Sequence, residues 1–141
     1  MQKSIIITNS DKEKLIQHAK SEEPYESCAI LIGQEIERGW KVIEVFLTEN
    51  TEKSKINFTI SPQEEFKIDE IAKQKNLEIV SIFHSHPTSE PIPSSTDKKF
   101  MQVNPYPWII YSGNTNTMKA YSLNVESVSY THLTLPTILL V

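Results

Sequence analysis

His84 and His86 stand one residue apart at the end of the apolar run LEIVSIF, and Asp97 follows after a loop holding Pro87, Pro91 and Pro93. In extended backbone, residues i and i+2 point to the same face, so both imidazoles can reach one point. Neutral imidazole suits Zn²⁺. A structural zinc site takes four protein ligands, usually including cysteines, whereas a catalytic site takes three and leaves a position for water. Cys28 is the only cysteine of the chain, which argues against a closed structural site. Asp97 is the natural third ligand, because a helix starting near it can bring its carboxylate back to the histidines. The three prolines stiffen the loop and reduce the entropy lost in fixing that geometry. A His-x-His pair alone is more often two polar residues at a strand exit than a metal site. The rest of the spacing has to decide.

His84-x-His86, seven residues, Ser94, two residues, Asp97 fixes four identities over fourteen positions. This pattern resembles the metal-binding motif of the JAMM, or MPN+, metalloprotease family in its compact prokaryotic form. Members also carry a glutamate far upstream, often as Pro-x-Glu-x-Cys-Gly before an apolar run and a glycine. The chain reads Pro24-Tyr25-Glu26-Ser27-Cys28-Ala29-Ile30-Leu31-Ile32-Gly33, so Glu26 matches the catalytic position and Ala29 replaces the usual glycine. The resemblance spans roughly residues 4–124. It implies one Zn²⁺ per chain, held by His84, His86 and Asp97, with Glu26 and Ser94 as catalytic residues. Zinc in such a site lowers the pKa of its water to about 7. Glu26 would take the proton and deliver it to the departing amine. Ser94 would donate a hydrogen bond to the developing oxyanion, an interaction typically worth about 2.7–4 kcal/mol.

The implied activity is hydrolysis of the amide bond after the C-terminal glycine of a small ubiquitin-like or sulfur-carrier protein, whose extended tail lies along a sheet edge. The chain lacks the long insertions with which eukaryotic deubiquitinases grip linked ubiquitins. Two other readings compete. One is a non-catalytic MPN-type scaffold, which would have lost metal ligands; here all five motif residues are present. The other is a zinc peptidase acting on short peptides. Other zinc architectures fit worse: Thr88 and Ser89 stand where a metallo-β-lactamase needs Asp and His, and no His-Glu-x-x-His or Pro-Cys-x-x-Cys occurs. Each residue also has a plainer role open to it. Ser94 can cap a helix, Glu26 can be a solvated acid, Cys28 reads as a small core residue, His18 as a boundary residue, and Trp40 and Trp108 as core aromatics.

The elements that must position these groups can be read from pattern. SIIIT at 4–8 is a short strand. Ser10-Asp11-Lys12-Glu13 has capping-box spacing, so a helix is expected there, with Leu15, Ile16 and Ala19 inward and Pro24 closing it. CAILIG at 28–33 and WKVIEVFLT at 40–48 form a hairpin around Gly39. NFTI at 57–60 reads as another short strand. Ser61-Pro62-Gln63-Glu64 opens a second helix, with Phe66, Ile68, Ile71 and Ala72 as its buried stripe, although Ile68 fits the period less well. LEIVSIF is the central strand, a third helix begins near Asp97, and PWIIYSG with TMKAYSLN closes the sheet as a hairpin. The expected class is α/β: a mixed, mainly antiparallel sheet flanked by two or three helices. By resemblance this is the MPN, cytidine-deaminase-like sandwich.

At 141 residues the chain fits one domain. A net charge of −4 offers no basic footprint for nucleic acid and no polybasic face for a membrane. With no signal-like start, no spanning run and one cysteine, the chain reads as cytoplasmic. The tail VSYTHLTLPTILLV differs in kind, because it resembles the translation of a sequencing adaptor. The domain is therefore assigned to residues 1–127, with 128–141 as a read-through rather than native chain; the alternative is a genuine apolar strand that closes the domain. His132 is excluded from the site on that ground.

Overall fold

A computed structural model describes residues 3–124, 129–133 and 137–138 of the chain. In order these form β1 (Ser4–Thr8), α1 (Asn9–Glu22), β2 (Cys28–Ile36), β3 (Gly39–Thr48), α2 (Pro62–Gln74), β4 (Glu78–His86), α3 (Ser95–Val103), β5 (Trp108–Ser112), β6 (Thr117–Asn124), β7 (Ser129–Leu133) and β8 (Thr137–Ile138). The sheet order is β7-β6-β5-β4-β2-β3-β1-β8. β2 pairs antiparallel with β3 and β4, and β5 with β6, whereas β4–β5 and β1–β3 are parallel. A mixed, mainly antiparallel sheet with three helices is thus the architecture among the described residues. The assigned domain break at Ser127 falls outside them. Beyond it, β7 pairs with β6 and β8 with β1.

The two faces of the sheet follow from alternation along β2. Ala29 and Leu31 join Leu15 and Ala19 of α1, together with Ile5, Ile7 and Phe83. Cys28, Ile30 and Ile32 point the other way, onto Ile68 and Ala72 of α2 and Met101 of α3. The side chain of Ala29 is fully buried, so the methyl that replaces the family's glycine is absorbed by the core facing α1. Gly33 is required by close approach. It follows a register shift between β2 and β3, and a Cβ there would lie 1.9 Å from the Lys41 carbonyl oxygen.

Three local expectations are corrected. α1 begins at Asn9 and is capped by Thr8, whose Oγ1 accepts from the Asp11 N–H at 3.0 Å; Ser10 is already helical. Residues 57–60 form no strand, because side chains of the preceding loop take their backbone groups. On α2 the buried positions are Ile68 and Ala72, whereas Phe66 is 66% exposed. The stripe that faces the sheet runs through the residue the period fitted less well, since the angle at which α2 crosses the sheet is set by tertiary packing.

Candidate metal centre

β4 is the innermost functional element: from Val80 to His86 every residue is buried. Ile82 belongs to the cluster beneath α2 and α3. By alternation His84 and His86 emerge on that same face. β2 then supplies the glutamate by register. Cys28 pairs with His84 in the antiparallel ladder. The pairing continues past the end of β2, where the Ser85 N–H donates to the Ser27 carbonyl and Ser85 Oγ accepts from the Ser27 N–H. One step further, Glu26 comes opposite His86. The third contribution is the start of α3. Ser94 caps it, with Oγ accepting the Asp97 N–H at 3.0 Å, and the Asp97 carboxylate returns to accept the Ser94 N–H at 2.9 Å. That box holds the Asp97 carboxylate toward the histidines.

Three ligand-type atoms converge as a result. His84 Nε2 and His86 Nε2 are 3.0 Å apart, and Asp97 Oδ2 lies 3.1 and 3.2 Å from them. Protons alone do not satisfy such a triangle: if both rings donate to the carboxylate, two N–H groups confront each other at 3.0 Å. A tetrahedral zinc with bonds of about 2.0–2.1 Å has ligand–ligand edges of roughly 3.3 Å, close to these distances. His86 Nδ1 donates to the Glu90 carbonyl at 2.8 Å, which leaves the Nε2 lone pair facing the triangle. The donor set fits zinc.

In the metal-free site the electrostatics favour the ligand forms of His84 and Asp97, while His86 is drawn toward its charged form. Burial pushes the His84 pKa down, despite the carboxylate of Asp97 beside it, and so favours the neutral ring. Burial also opposes protonation of His86, but the Asp97 carboxylate and the Glu90 carbonyl outweigh it and the net shift is upward. For Asp97 burial alone would raise the pKa. The neighbouring His84, contact with the His86 ring and the Ser94 N–H overcome it, and the carboxyl is held below the usual range.

Glu26 sits at the open side of this triangle. It is 3% exposed, and one carboxylate oxygen lies with a ring nitrogen of His84 and of His86 in a group whose atoms are all within 4.8 Å of one another. Glu26 Oε1 is buried and makes no hydrogen bond, in contrast to Asp97 Oδ2, which lies within hydrogen-bond distance of both rings. Burial, against the attraction of His86 and with the repulsion of Asp97, raises the Glu26 pKa from 4.5 to about 8.

All five residues singled out in the sequence therefore meet at one place. The plain reading of Glu26 as a solvated acid is replaced by a buried one. Ser94 is half-buried and is a helix cap, and its hydroxyl proton is not consumed by that role. Cys28 is fully buried, with its thiol pushed up to about 12 by burial, as suits a core residue. His18 is a boundary residue whose Nε2 lies 3.1 and 3.2 Å from the Cys28 and Thr48 carbonyls. Trp108 is core, whereas Trp40 is half-buried beneath the Lys3 ammonium. Sequence reasoning missed the aromatic walls of the site. Phe58 stacks on His84 with centroids 4.7 Å apart, and Trp108 meets the same ring edge-on at 5.6 Å. The run NFTI carried the signal for Phe58, but its apolar character was assigned to a strand.

The family described as "Prokaryotic homologs of the JAB domain" matches residues 8–124. Among curated proteins the chain is similar to a desampylase of Pyrococcus furiosus, 40% identical over 85 residues, which cover 60% of this chain and 58% of that relative. It is also similar to a desampylase of Haloferax volcanii, 26% identical over 106 residues, covering 72% and 75%. The chain thus spans under three fifths of the length of the Pyrococcus relative. Two solution structures share the fold. A Desulfitobacterium hafniense protein has a TM-score of 0.80 at 24% identity, covering 96% of this chain and 94% of that one. A Salinibacter ruber protein has a TM-score of 0.72 at 19% identity, covering 96% and 91%.

Proposed function

The chain belongs to the prokaryotic JAB family, and on that premise we propose that it is a zinc-dependent isopeptidase. Its reaction is hydrolysis of the amide bond after the C-terminal glycine of a small ubiquitin-like or sulfur-carrier protein. The observation that carries this reading is the convergence of His84 Nε2, His86 Nε2 and Asp97 Oδ2 beside an unpartnered carboxylate oxygen of Glu26. Two relatives named desampylase favour an enzyme over a scaffold. All five site residues lie within residues 1–127, the span to which we assign the domain. Among the described residues no helix is long and apolar enough to cross a membrane.

His84, His86 and Asp97 would hold the ion. Bound there, zinc supplies a Lewis acid toward the scissile carbonyl and a water of pKa about 7. Glu26 accepts a proton from the attacking water and passes it to the leaving amine, and burial makes its carboxylate a stronger base than an exposed one. The Ser94 hydroxyl, whose oxygen already accepts from Asp97, donates its proton toward the developing oxyanion. The substrate tail would run extended along a sheet edge with its backbone paired.

Metal analysis joined to a cleavage assay on a carrier-protein fusion tests this. Wild type should carry close to one zinc per chain and lose cleavage in a chelator. Zinc should be absent from His84→Ala. Glu26→Gln should keep zinc and lose turnover by a factor of roughly 100 or more. Cleavage by Glu26→Gln at the wild-type rate would overturn the assignment. Truncation after Ser127 should leave zinc content and turnover unchanged.

A further inference from the structure

Glu26 precedes β2, so ladder pairing does not hold its backbone in place. Its two main-chain groups are instead bound by the loop after β3. The Glu26 N–H donates to the Ser54 carbonyl at 2.9 Å, and its carbonyl accepts from Asn50 Nδ2 at 2.9 Å. Asn50 is 6% exposed, and its amide fills all four of its hydrogen-bonding positions. Nδ2 also donates to the Asn57 carbonyl at 3.0 Å; Oδ1 accepts the Glu52 N–H and the Thr59 N–H, each at 3.1 Å. Asn57 and Thr59 flank Phe58, whose ring lies 22° from parallel on the His84 imidazole. One side chain thus grips the backbone of Glu26 and both sides of the aromatic that packs on a metal-ligand candidate.

We propose that Asn50 is a positioning residue that locks Glu26 and the Phe58 plate over His84 into one unit. The inference rests on the role given above to Glu26. The ligands themselves stand on β4 and α3, so loss of Asn50 leaves the ion's holders in place and lets the base drift. A displacement of about 1 Å at a reacting group can cost on the order of 100-fold in rate.

Asn50→Ala and Asn50→Asp test this, read by amide hydrogen exchange on the metal-free protein and by kinetics on the zinc-loaded one. Asn50→Asp keeps the shape and both accepting contacts but cannot donate to Glu26 or Asn57. The Glu26 N–H keeps its own acceptor, the Ser54 carbonyl of the same loop, so its exchange reports loosening of the segment. It should speed up in Asn50→Asp while Thr59 stays protected, and both should speed up in Asn50→Ala, with the amide of Ile30 in the sheet protected as before. Zinc stoichiometry should hold. Turnover should fall on the order of 100-fold with KM within about threefold. Should Asn50→Ala fail to fold, the isosteric Asn50→Asp carries the test alone. A Glu26 amide as protected in Asn50→Asp as in wild type would overturn the proposal, as would turnover within about twofold of wild type. If Glu26→Gln is inactive and Asn50→Asp is not impaired, this inference fails and the isopeptidase reading stands. If Glu26→Gln is active, that reading fails, and the exchange data still decide whether Asn50 holds the segment.

Discussion

The starts of α2 and α3 are written in the same grammar and do different things. Ser61 and Ser94 each cap their helix by accepting the N–H three residues on, from Glu64 and Asp97 respectively. In α3 the acid turns back to the N-cap N–H, completing the box, and its Oδ2 faces two imidazoles. In α2 the Glu64 carboxylate reaches outward instead, to the Glu49 N–H at 3.4 Å. Asp is one methylene shorter than Glu, so a box closed by Asp keeps the carboxylate against the helix start, here beneath β4. The difference teaches that a capping motif specifies a helix end, while its chemistry is set by what the sheet places in front of it.

The largest effect should come from separating the two roles of Asp97. Asp97→Asn keeps the size and an acceptor for the Ser94 N–H, so α3 should survive. Without the negative charge, zinc affinity should fall by about 100-fold or more, beyond the effect of losing an outer partner of a ligand. Zinc titration checks the affinity, and circular dichroism checks the helix. Zinc bound by Asp97→Asn as tightly as by wild type would place the ion elsewhere.

The two serines offer the next contrast. Replacing either by Ala removes a cap, at about 1 kcal/mol of stability. Ser61→Ala should stop there. Ser94→Ala should in addition lower kcat by roughly 10²–10³, the typical loss of an oxyanion donor. Melting curves paired with kcat give both numbers. Equal behaviour of the two variants would reduce Ser94 to a cap and leave the oxyanion to other groups.

The same contrast marks what the sequence discloses. His84, His86 and Asp97 were legible as candidate ligands because strand alternation and a helix start are local rules that fix where side chains point, whereas Ser94 was legible locally only as a cap. Glu26 was legible only through its resemblance to a family pattern. No local rule says that a glutamate in an acidic stretch will be buried, and its placement depends on the pairing of Cys28 with His84 across the sheet. Phe58 and Asn50 were not legible, since their roles come from a loop folded by side-chain hydrogen bonds, which leave no period. The cap of α1 was misplaced because Ser10 and Thr8 both satisfy the pattern, and the strand leading into the helix selects between them.

Asp97 and Glu26 also differ in how pH should act on the metal-free protein. Asp97 is held below its usual range, so its contribution is present above about pH 4 and lost as pH falls. Glu26 is raised from 4.5 to about 8, so the folded state binds the extra proton across that window. Stability from Glu26 is therefore full below 4.5 and lost as pH rises through about 8. The two histidines titrate in the same window with opposite signs, so the clean quantity is the difference between Glu26→Gln and wild type. Melts in a chelator should show Glu26→Gln gaining on wild type by several degrees from about pH 5 to about pH 8. A constant gap would mean that the carboxyl is solvated.

The smallest expected effect is at Glu64, and it is where the comparison is easiest to break. Its carboxylate lies at the limit of hydrogen-bond distance and does not close the box. What Glu64→Gln removes is one negative charge in the first turn of α2, worth about 0.3–1 kcal/mol against the helix dipole and less in salt. Zinc content and kcat should not change, because α2 contributes none of the converging atoms. The melting temperature should move by no more than a few degrees and should recover part of that shift at high ionic strength. A salt-insensitive loss larger than that of Ser61→Ala would show the α2 box to be closed in solution. The outward turn of Glu64, and with it the contrast to Asp97, would then be gone.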